Sequence, residues 1–319
     1  MNWKRTSVLV TGGAGFLGSH LVDKLIELGS IVTVIDDLSF GKRENVNERA
    51  DFVELDIKNY GALKNVIHKV SPKVVYHFAA NATTRESAMG WSDPVSDYQV
   101  NALGTLNVLR AMADAGLKSH VVYASSAAVY GEPEYIPIDE KHPTNPKSPY
   151  GVSKLAGGKY TLIYHKEYGI PVTILRIFNV YGPRQPRYVM FDLLKKLKRD
   201  PDKLEVIGTG EQIRNYCYVL DAVDAFILVV EKNAVGEIFN LAGGDVINIR
   251  GLVEKILGML GLSGRTRVSY TGESWKGDII RLVADTSKIK KHLGFEPKTP
   301  LDEGLLRLRG WFEESLGAI

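Results

Sequence analysis

The sequence predicts an α/β protein: a doubly wound parallel sheet with a smaller C-terminal α/β domain that would hold substrate. Three observations carry that prediction. Short β-branched runs alternate with longer amphipathic stretches through the first half of the chain. The short runs are apolar on both faces, as strands covered by helices on each side must be. A glycine-rich turn, Thr11-Gly12-Gly13-Ala14-Gly15-Phe16-Leu17-Gly18, directly follows the first apolar run, where a strand hands over to a helix.

The elements follow in order. Val8-Leu9-Val10 reads as the first strand. From Phe16 to Leu28, the residues Leu17, Leu21, Leu25 and Leu28 recur at helical spacing, and Gly29 stands where a C-cap belongs. Residues 31–35, Phe52-Val53 and 74–78 are the next strands. A long helical pattern covers 94–115, and strands at 120–123 and 172–177 enclose a helix over 149–168. After Gly182-Pro183 the rhythm breaks and the loops gain charge. The expected boundary therefore gives domains 1–180 and 181–319, with the strand-like Glu237-Ile238-Phe239-Asn240-Leu241 rejoining the first sheet.

Bulk properties narrow the function classes. A length of 319 residues suits one large or two moderate domains. With 45% hydrophobic and 24% charged residues the composition is that of a soluble globular protein. The net charge of +3 is too balanced to argue for nucleic acid or an anionic membrane as partner. The basic run 195–199 follows apolar Phe191, Leu193 and Leu194 and reads as the solvated face of a helix. Cys217 is the single cysteine, so no intrachain disulfide forms, which fits a reducing, cytoplasmic setting. No run approaches the ~20 apolar residues that span a bilayer, and Met1–Arg5 leads into a strand rather than a signal peptide.

The glycines at 12, 15 and 18 fit a Rossmann-type dinucleotide site. Lacking Cβ atoms, they permit the tight turn, the approach of backbone to a pyrophosphate, and close helix–strand packing. The helix that follows offers its free N–H groups to the phosphates. Asp36 ends the second strand, 18 residues past Gly18. A carboxylate there accepts both ribose hydroxyls and repels a 2′-phosphate, which favours NAD over NADP. Lys42 and Arg43 lie just beyond and could rescue such a phosphate. Asp56, after the third strand, is placed to accept from the adenine amino group.

A proton-transfer set follows. Ser148 and Pro149 read as the N-cap and first position of a helix. Tyr150 and Lys154, four apart, share one of its faces. A lysine cation, an oxidised nicotinamide ring and the helix N-terminus would each favour the phenolate, making Tyr150 a general base. Ser126 ends the fifth strand, where its hydroxyl would reach the reacting oxygen. A dinucleotide turn joined to Ser126, Tyr150 and Lys154 points to hydride exchange with an alcohol or ketone.

These residues resemble those of the extended short-chain dehydrogenases/reductases of the nucleotide-sugar epimerase/dehydratase family, over nearly the whole chain. The matching segments are 11–18, Asp56-Ile57, 77–80, Asn101 with Gly104-Thr105, Ser125-Ser126 with 129–131, 150–154, Arg176 through Asn179 to 181–184, 208–212, Arg214, Tyr218-Val219 with Asp221, and Gly277-Asp278. Within the family the chain is most similar to the compact, archaeal-type UDP-glucose (UDP-galactose) 4-epimerases.

The resemblance implies NAD-dependent 4-epimerisation of a UDP-hexose in a homodimer pairing through helices near 94–115 and 149–168. It implies cofactor contacts from Gly12, Gly15, Phe16, Leu17, Gly18, Asp36, Asp37, Lys42, Asp56, Ile57, Ala79, Ala80, Asn101, Tyr150 and Lys154. The implied substrate contacts are Thr84, Ser126, Asn179, Leu204, Val206, Arg214 and Asp278. Tyr150 would take the proton of the sugar 4-hydroxyl, Lys154 would anchor the nicotinamide ribose, Asn179 and Arg214 would hold the diphosphate, and 204–206 would pack on uracil.

Related dehydratases and decarboxylating enzymes carry acidic residues just after the position of Ser126; here Ala127 and Ala128 stand there, which favours simple epimerisation. The alternatives are a nucleotide-sugar dehydratase or 4-ketoreductase, and a non-enzymatic dinucleotide sensor, against which Tyr150 and Lys154 count. The chain departs from the family pattern at Asn215, where aspartate is usual, and at Trp275-Lys276, where an arginine is common. By the resemblance, the loop over 83–93 is about three residues longer than in close relatives and borders the sugar pocket; its Arg85 and Trp91 would either contact a nonstandard sugar or be plain surface variation. Leu282 falls where some epimerases carry a tyrosine that excludes N-acetylated sugars.

Overall fold

The structure is a computed structural model that describes residues 1–81, 91, 93–273 and 278–319. The strands are β1 (Ser7–Thr11), β2 (Ile31–Asp36), β3 (Asp51–Glu54), β4 (Val74–His77), β5 (His120–Ser126), β6 (Val172–Ile177), β7 (Asn179–Tyr181), β8 (Lys203–Val206), β9 (Ile213–Tyr218), β10 (Glu237–Leu241), β11 (Val246–Asn248), β12 (Arg267–Tyr270) and β13 (Arg281–Leu282). The helices are α1 (Phe16–Glu27), α2 (Tyr60–Val70), α3 (Pro94–Asp97), α4 (Thr105–Asp114), α5 (Pro149–Tyr168), α6 (Tyr188–Arg199), α7 (Val219–Glu231), α8 (Ile249–Leu260), α9 (Ser287–Leu293) and α10 (Leu301–Leu316).

Among the described residues, seven strands form a sheet in the order β10-β6-β5-β4-β1-β2-β3. Every neighbouring pair in it is parallel. The chain runs outward from β1 to β3 and then returns to β4 on the other side of β1. That reversal is a topological switch point, where the carboxyl ends of β1 and β4 open a crevice.

Strand alternation sends Val8 and Val10 to one face and Leu9 to the other. The first face packs on Leu21, Val22 and Leu25 of α1 and on Ala222, Phe226 and Val230 of α7. The second packs on Leu63 and Ile67 of α2 and on Val108 and Met112 of α4. Burial of both faces is why these strands read as continuous apolar runs.

The pattern over 94–115 does not form one α-helix. Between α3 and α4, Tyr98–Gly104 is a π-helix. Thr105 donates its hydroxyl to the Asn101 carbonyl at 2.6 Å. Gly104 lets Ile57 pack in, for a Cβ at 104 would stand 2.4 Å from Ile57 Cδ1. Wound-out turns of this kind collect at functional sites, and this one packs on α5 at Ser153 and Gly157.

The rest of the chain builds a second core. There β9 pairs with β7, β11 and β13, and β8 pairs with β12. The apolar sides of α6, α8 and α10 meet in a cluster that holds Leu193, Leu197, Leu204, Leu252, Ile256, Leu305 and Phe312. The basic run of α6 lies mostly outside it, with Leu197 turned inward. None of the helices among the described residues is long and apolar enough to cross a membrane.

Candidate active site

A cleft of about 1220 Å³ opens at the switch point and continues between the two cores. That is larger than the roughly 300–1,000 Å³ of an ordinary small-molecule site, leaving room for a dinucleotide and a second ligand. Its floor is the glycine turn after β1. Gly12 has φ +72°, and a Cβ on it would lie 2.6 Å from the Ala79 nitrogen. A Cβ on Gly18 would lie 2.2 Å from the Gly12 carbonyl oxygen. Only glycine fits at both, and the turn is thereby drawn tight at the N-terminus of α1.

The residues expected to contact the dinucleotide line this cleft, with one exception. Gly12, Gly15, Phe16, Leu17, Gly18, Asp36, Asp37, Lys42, Asp56, Ile57, Ala79 and Ala80 are on its wall together with Tyr150 and Lys154. Asp36 ends β2 with its carboxylate aimed by two backbone amides, those of Ala14 and Leu38, each at 2.9 Å. Burial pushes that carboxyl up, and the two amides pull it back. The tight turn, the free helix N-terminus and the held carboxylate fit a pyrophosphate and an adenosine ribose. Asn101 is the exception. It is fully buried behind the wall, where its side chain accepts from the Asn81 amide at 2.8 Å and donates to Ser153 Oγ at 3.0 Å. It supports the cleft from behind.

Ser126, Tyr150 and Lys154 come together on one side of the cleft. Ser148 caps α5 through the Gly151 amide at 3.1 Å, with Pro149 in the first turn. This cap fixes where Tyr150 enters. Ser126 sits close enough to Tyr150 for its hydroxyl to ease ionisation of the phenol. Ser126 Oγ also accepts from the Ala128 amide at 3.1 Å, which orients the hydroxyl. Lys154 is buried, with its Nζ 4.6 Å from the centroid of the Tyr123 ring.

The electrostatic balance differs from the sequence expectation. Burial pushes the Tyr150 phenol up; the Tyr188 phenol and Asp97 carboxyl add to the rise, and the nearby Ser126 hydroxyl opposes it. Burial likewise lowers the Lys154 ammonium to about 7. Within the protein alone desolvation of both groups outweighs attraction, so Tyr150 is held as the neutral phenol.

The expected substrate contacts divide. Asn179, Val206, Arg214 and Asp278 line the cleft on the side of the second core. Arg214 Nη2 pairs with Asp278 Oδ1 at 3.0 Å in a largely buried ion pair, and Gln212 donates to the other oxygen at 3.1 Å. Leu204 does not line the cleft. Leu204 and Val206 share the inward face of β8, but Leu204 is sealed in the second core at 1% exposure, while Val206, one pleat further along, and Glu205 reach the wall. Thr84 and Arg85 lie outside the described residues, as do Trp275 and Lys276. Trp91 is exposed beside α3 and α5, away from the main cleft. Asn215 explains one departure: its amide donates to the Gly243 carbonyl at 3.2 Å while its oxygen accepts from the Ala284 amide at 2.8 Å. An ionised carboxylate could do only the second.

Three residues here escaped the sequence reading. Asp97 is buried near Tyr150, accepts from Asn81 Nδ2 at 2.8 Å, and is pushed up to about 6 by burial. Tyr188 lines the cleft with φ +71° and acts on the Tyr150 phenol. Arg187 places its guanidinium over the ring of Phe40. A non-glycine residue at positive φ is a signal of this kind that only the fold reveals.

The comparisons agree with the geometry. The NAD dependent epimerase/dehydratase family matches residues 8–242. A Methanocaldococcus jannaschii protein, provisionally named UDP-glucose 4-epimerase, is 38% identical over 315 residues, covering 97% of this chain and 99% of its own. The solved UDP-glucose 4-epimerase of Thermotoga maritima, with UDP-glucose, is 35% identical at a TM-score of 0.89, with 97% and 99% of the two chains covered. The UDP-N-acetylglucosamine 4-epimerase of Methanobrevibacter ruminantium, in complex with UDP-N-acetylmuramic acid, is 32% identical at a TM-score of 0.88, with 98% and 100% covered.

Proposed function

From its membership of the NAD dependent epimerase/dehydratase family, we propose that the chain is an NAD-dependent 4-epimerase of UDP-hexoses, interconverting UDP-glucose and UDP-galactose. The observation that carries the reading is the grouping of Ser126, Tyr150 and Lys154 on the wall of a cleft that also holds the dinucleotide turn.

NAD, when bound, supplies reversible removal of hydride from the sugar C4. Tyr150 takes the proton of the 4-hydroxyl and later returns it. Ser126 hydrogen-bonds the same oxygen and holds it on the phenol. Lys154, regaining its proton, supplies the positive charge that burial opposes. Inversion requires the 4-keto sugar to turn over between the two proton transfers, and the size of the cleft supports this. Arg214, steadied by Asp278, faces the nucleotide diphosphate with Asn179, and Val206 with Glu205 borders the base.

The domains divide the work: residues 1–180 with β10 for NAD, and 181–319 for the nucleotide sugar. Leu282, rather than a bulkier ring, leaves room beside the sugar for an N-acetyl group. A homodimer is supported by exposed apolar side chains on the neighbouring faces of α3, the π-helix and α5: Val95, Tyr98, Val152, Tyr160 and Ile163. We place the enzyme in the cytoplasm and in galactose metabolism; the thiol of Cys217, buried and pushed up by burial, is inert there.

The test is Tyr150→Phe with UDP-galactose as substrate. The wild type should yield UDP-glucose with no lasting absorbance of reduced nicotinamide. The variant should lose about 10²- to 10⁴-fold in kcat. Full activity in the variant, or a persistent keto sugar from the wild type, would defeat the reading. The second outcome would favour a dehydratase, for which Ala127 and Ala128 offer no acid.

A further inference from the structure

The segment between β7 and α6 crosses from the second core back to the dinucleotide side. The Pro183 carbonyl meets His20 Nε2 at 3.0 Å. Arg184 Nη1 bonds Asp23 Oδ2 at 2.7 Å. Both partners lie on α1, the helix whose N-terminus follows the glycine turn. Gln185 donates to the Val180 carbonyl at 2.9 Å, folding the segment back on its own strand. The Arg187 guanidinium carbon then stands 5.0 Å from the centroid of the Phe40 ring.

Phe40 is fixed from below. A Cβ on Gly41 would lie 2.8 Å from Ala14 Cβ and 2.9 Å from Asp36 Oδ1. The Lys42 amide donates to the Ala14 carbonyl at 3.1 Å. Phe40, next to Gly41, thus lines the cleft near the Asp36 carboxylate. It is 47% exposed. Phe40 and Arg187 both line this cleft. Arg184 and Tyr188, at φ +67° and +71°, bracket the segment in left-handed backbone. Such conformations persist in non-glycine residues only where the surroundings impose them.

We propose that Phe40 and Arg187 form a clasp across the cleft that retains bound NAD between turnovers, an inference that rests on the cofactor reading above. An epimerase has no net redox change to restore a lost cofactor. Release of the nucleotide in mid-cycle would strand a ketone, so slow release is a functional requirement. The ring covers the adenosine side, the guanidinium covers the ring, and the bonds to His20 and Asp23 hold the segment down.

The test uses the full-length chain loaded with NAD. Protein is passed into NAD-free buffer, and the nucleotide still bound is measured over time after denaturing aliquots. Phe40→Ala and Arg187→Ala should each release NAD about two- to thirtyfold faster than the wild type, the range of a cation–π contact. Phe40→Trp should hold it at least as long as the wild type. The thermal midpoint of the NAD-free protein should fall by no more than the few degrees that one such contact is worth. Equal release from wild type and both alanine variants overturns the clasp alone. So does faster release accompanied by a larger loss of thermal stability. A wild type that takes up no NAD overturns the cofactor assignment and the clasp with it.

Discussion

Replacing Lys154 by methionine in the NAD-free protein should expose the cost of burying its charge. Lys154 is 2% exposed, and burial brings its ammonium from 10.5 to about 7. At about 1.4 kcal/mol for each tenfold change in proton affinity, the charged form is disfavoured in the fold by roughly 5 kcal/mol. The sign follows from proton counting. Above pH 7 the folded lysine is losing its proton while the unfolded one keeps it up to about 10.5. The unfolded state then binds more protons, so stability rises with pH across that window. From pH 7 to pH 9 the wild type should gain about 2 kcal/mol from this group, and Lys154→Met should gain none of it. Urea unfolding of both proteins at several pH values, followed by tryptophan fluorescence, gives the difference directly. His77 beside it is held neutral, lowered to about 3 mainly by burial, and adds no slope there. A constant difference between pH 7 and 9 would mean that the ammonium keeps its charge in the fold. The argument that burial withholds the Lys154 charge from Tyr150 in the NAD-free protein would then fail.

Other outcomes are expected. Gly18→Ala sets a methyl 2.2 Å from one backbone atom and 2.9 Å from another; it should cost about 1–3 kcal/mol in stability and abolish NAD binding, and a variant that titrates NAD normally would show the turn is not the phosphate site. Leu282→Tyr should lower turnover of UDP-N-acetylgalactosamine relative to UDP-galactose by at least tenfold, whereas equal exclusion of the acetylated sugar by the wild type would remove the basis for the prediction. Val152→Glu puts a charge on a side chain that is 54% exposed in the proposed dimer face; sedimentation should change from dimer to monomer, and a monomeric wild type would contradict that interface.

Much of the sheet was legible because its strands obey one local rule. Val8, Leu9 and Val10 are apolar in succession since each face is covered, and that pattern survives in one dimension. Ser126, Tyr150 and Lys154 were legible for a similar reason: a strand end and one helical turn fix their spacing, and the cap at Ser148 fixes the phase. The helical stretch 94–115 misled because its interruption comes from outside, from Ile57 against Gly104 and from the hydroxyl of Thr105. Leu204 was misplaced since only the packing of the second core decides where along β8 the cleft begins: Val206, on the same face, reaches it and Leu204 does not. The contact of Arg187 with Phe40 joins residues far apart in sequence, and no periodicity records such a meeting. The depressed lysine is of the same kind, for desolvation is a property of everything packed around a group.

The return of β10 to lie beside β6 has a consequence for how the molecule can be divided. Between leaving and re-entering the sheet, the chain also lays down α7, whose Phe226 closes over Val8 and Val10. A fragment ending near residue 180 would bare that face and leave β6 as a naked margin, an invitation to stick to its copies. The nucleotide-holding and sugar-holding halves are thus stitched by the backbone itself, and neither should be obtainable as a well-behaved piece without the other.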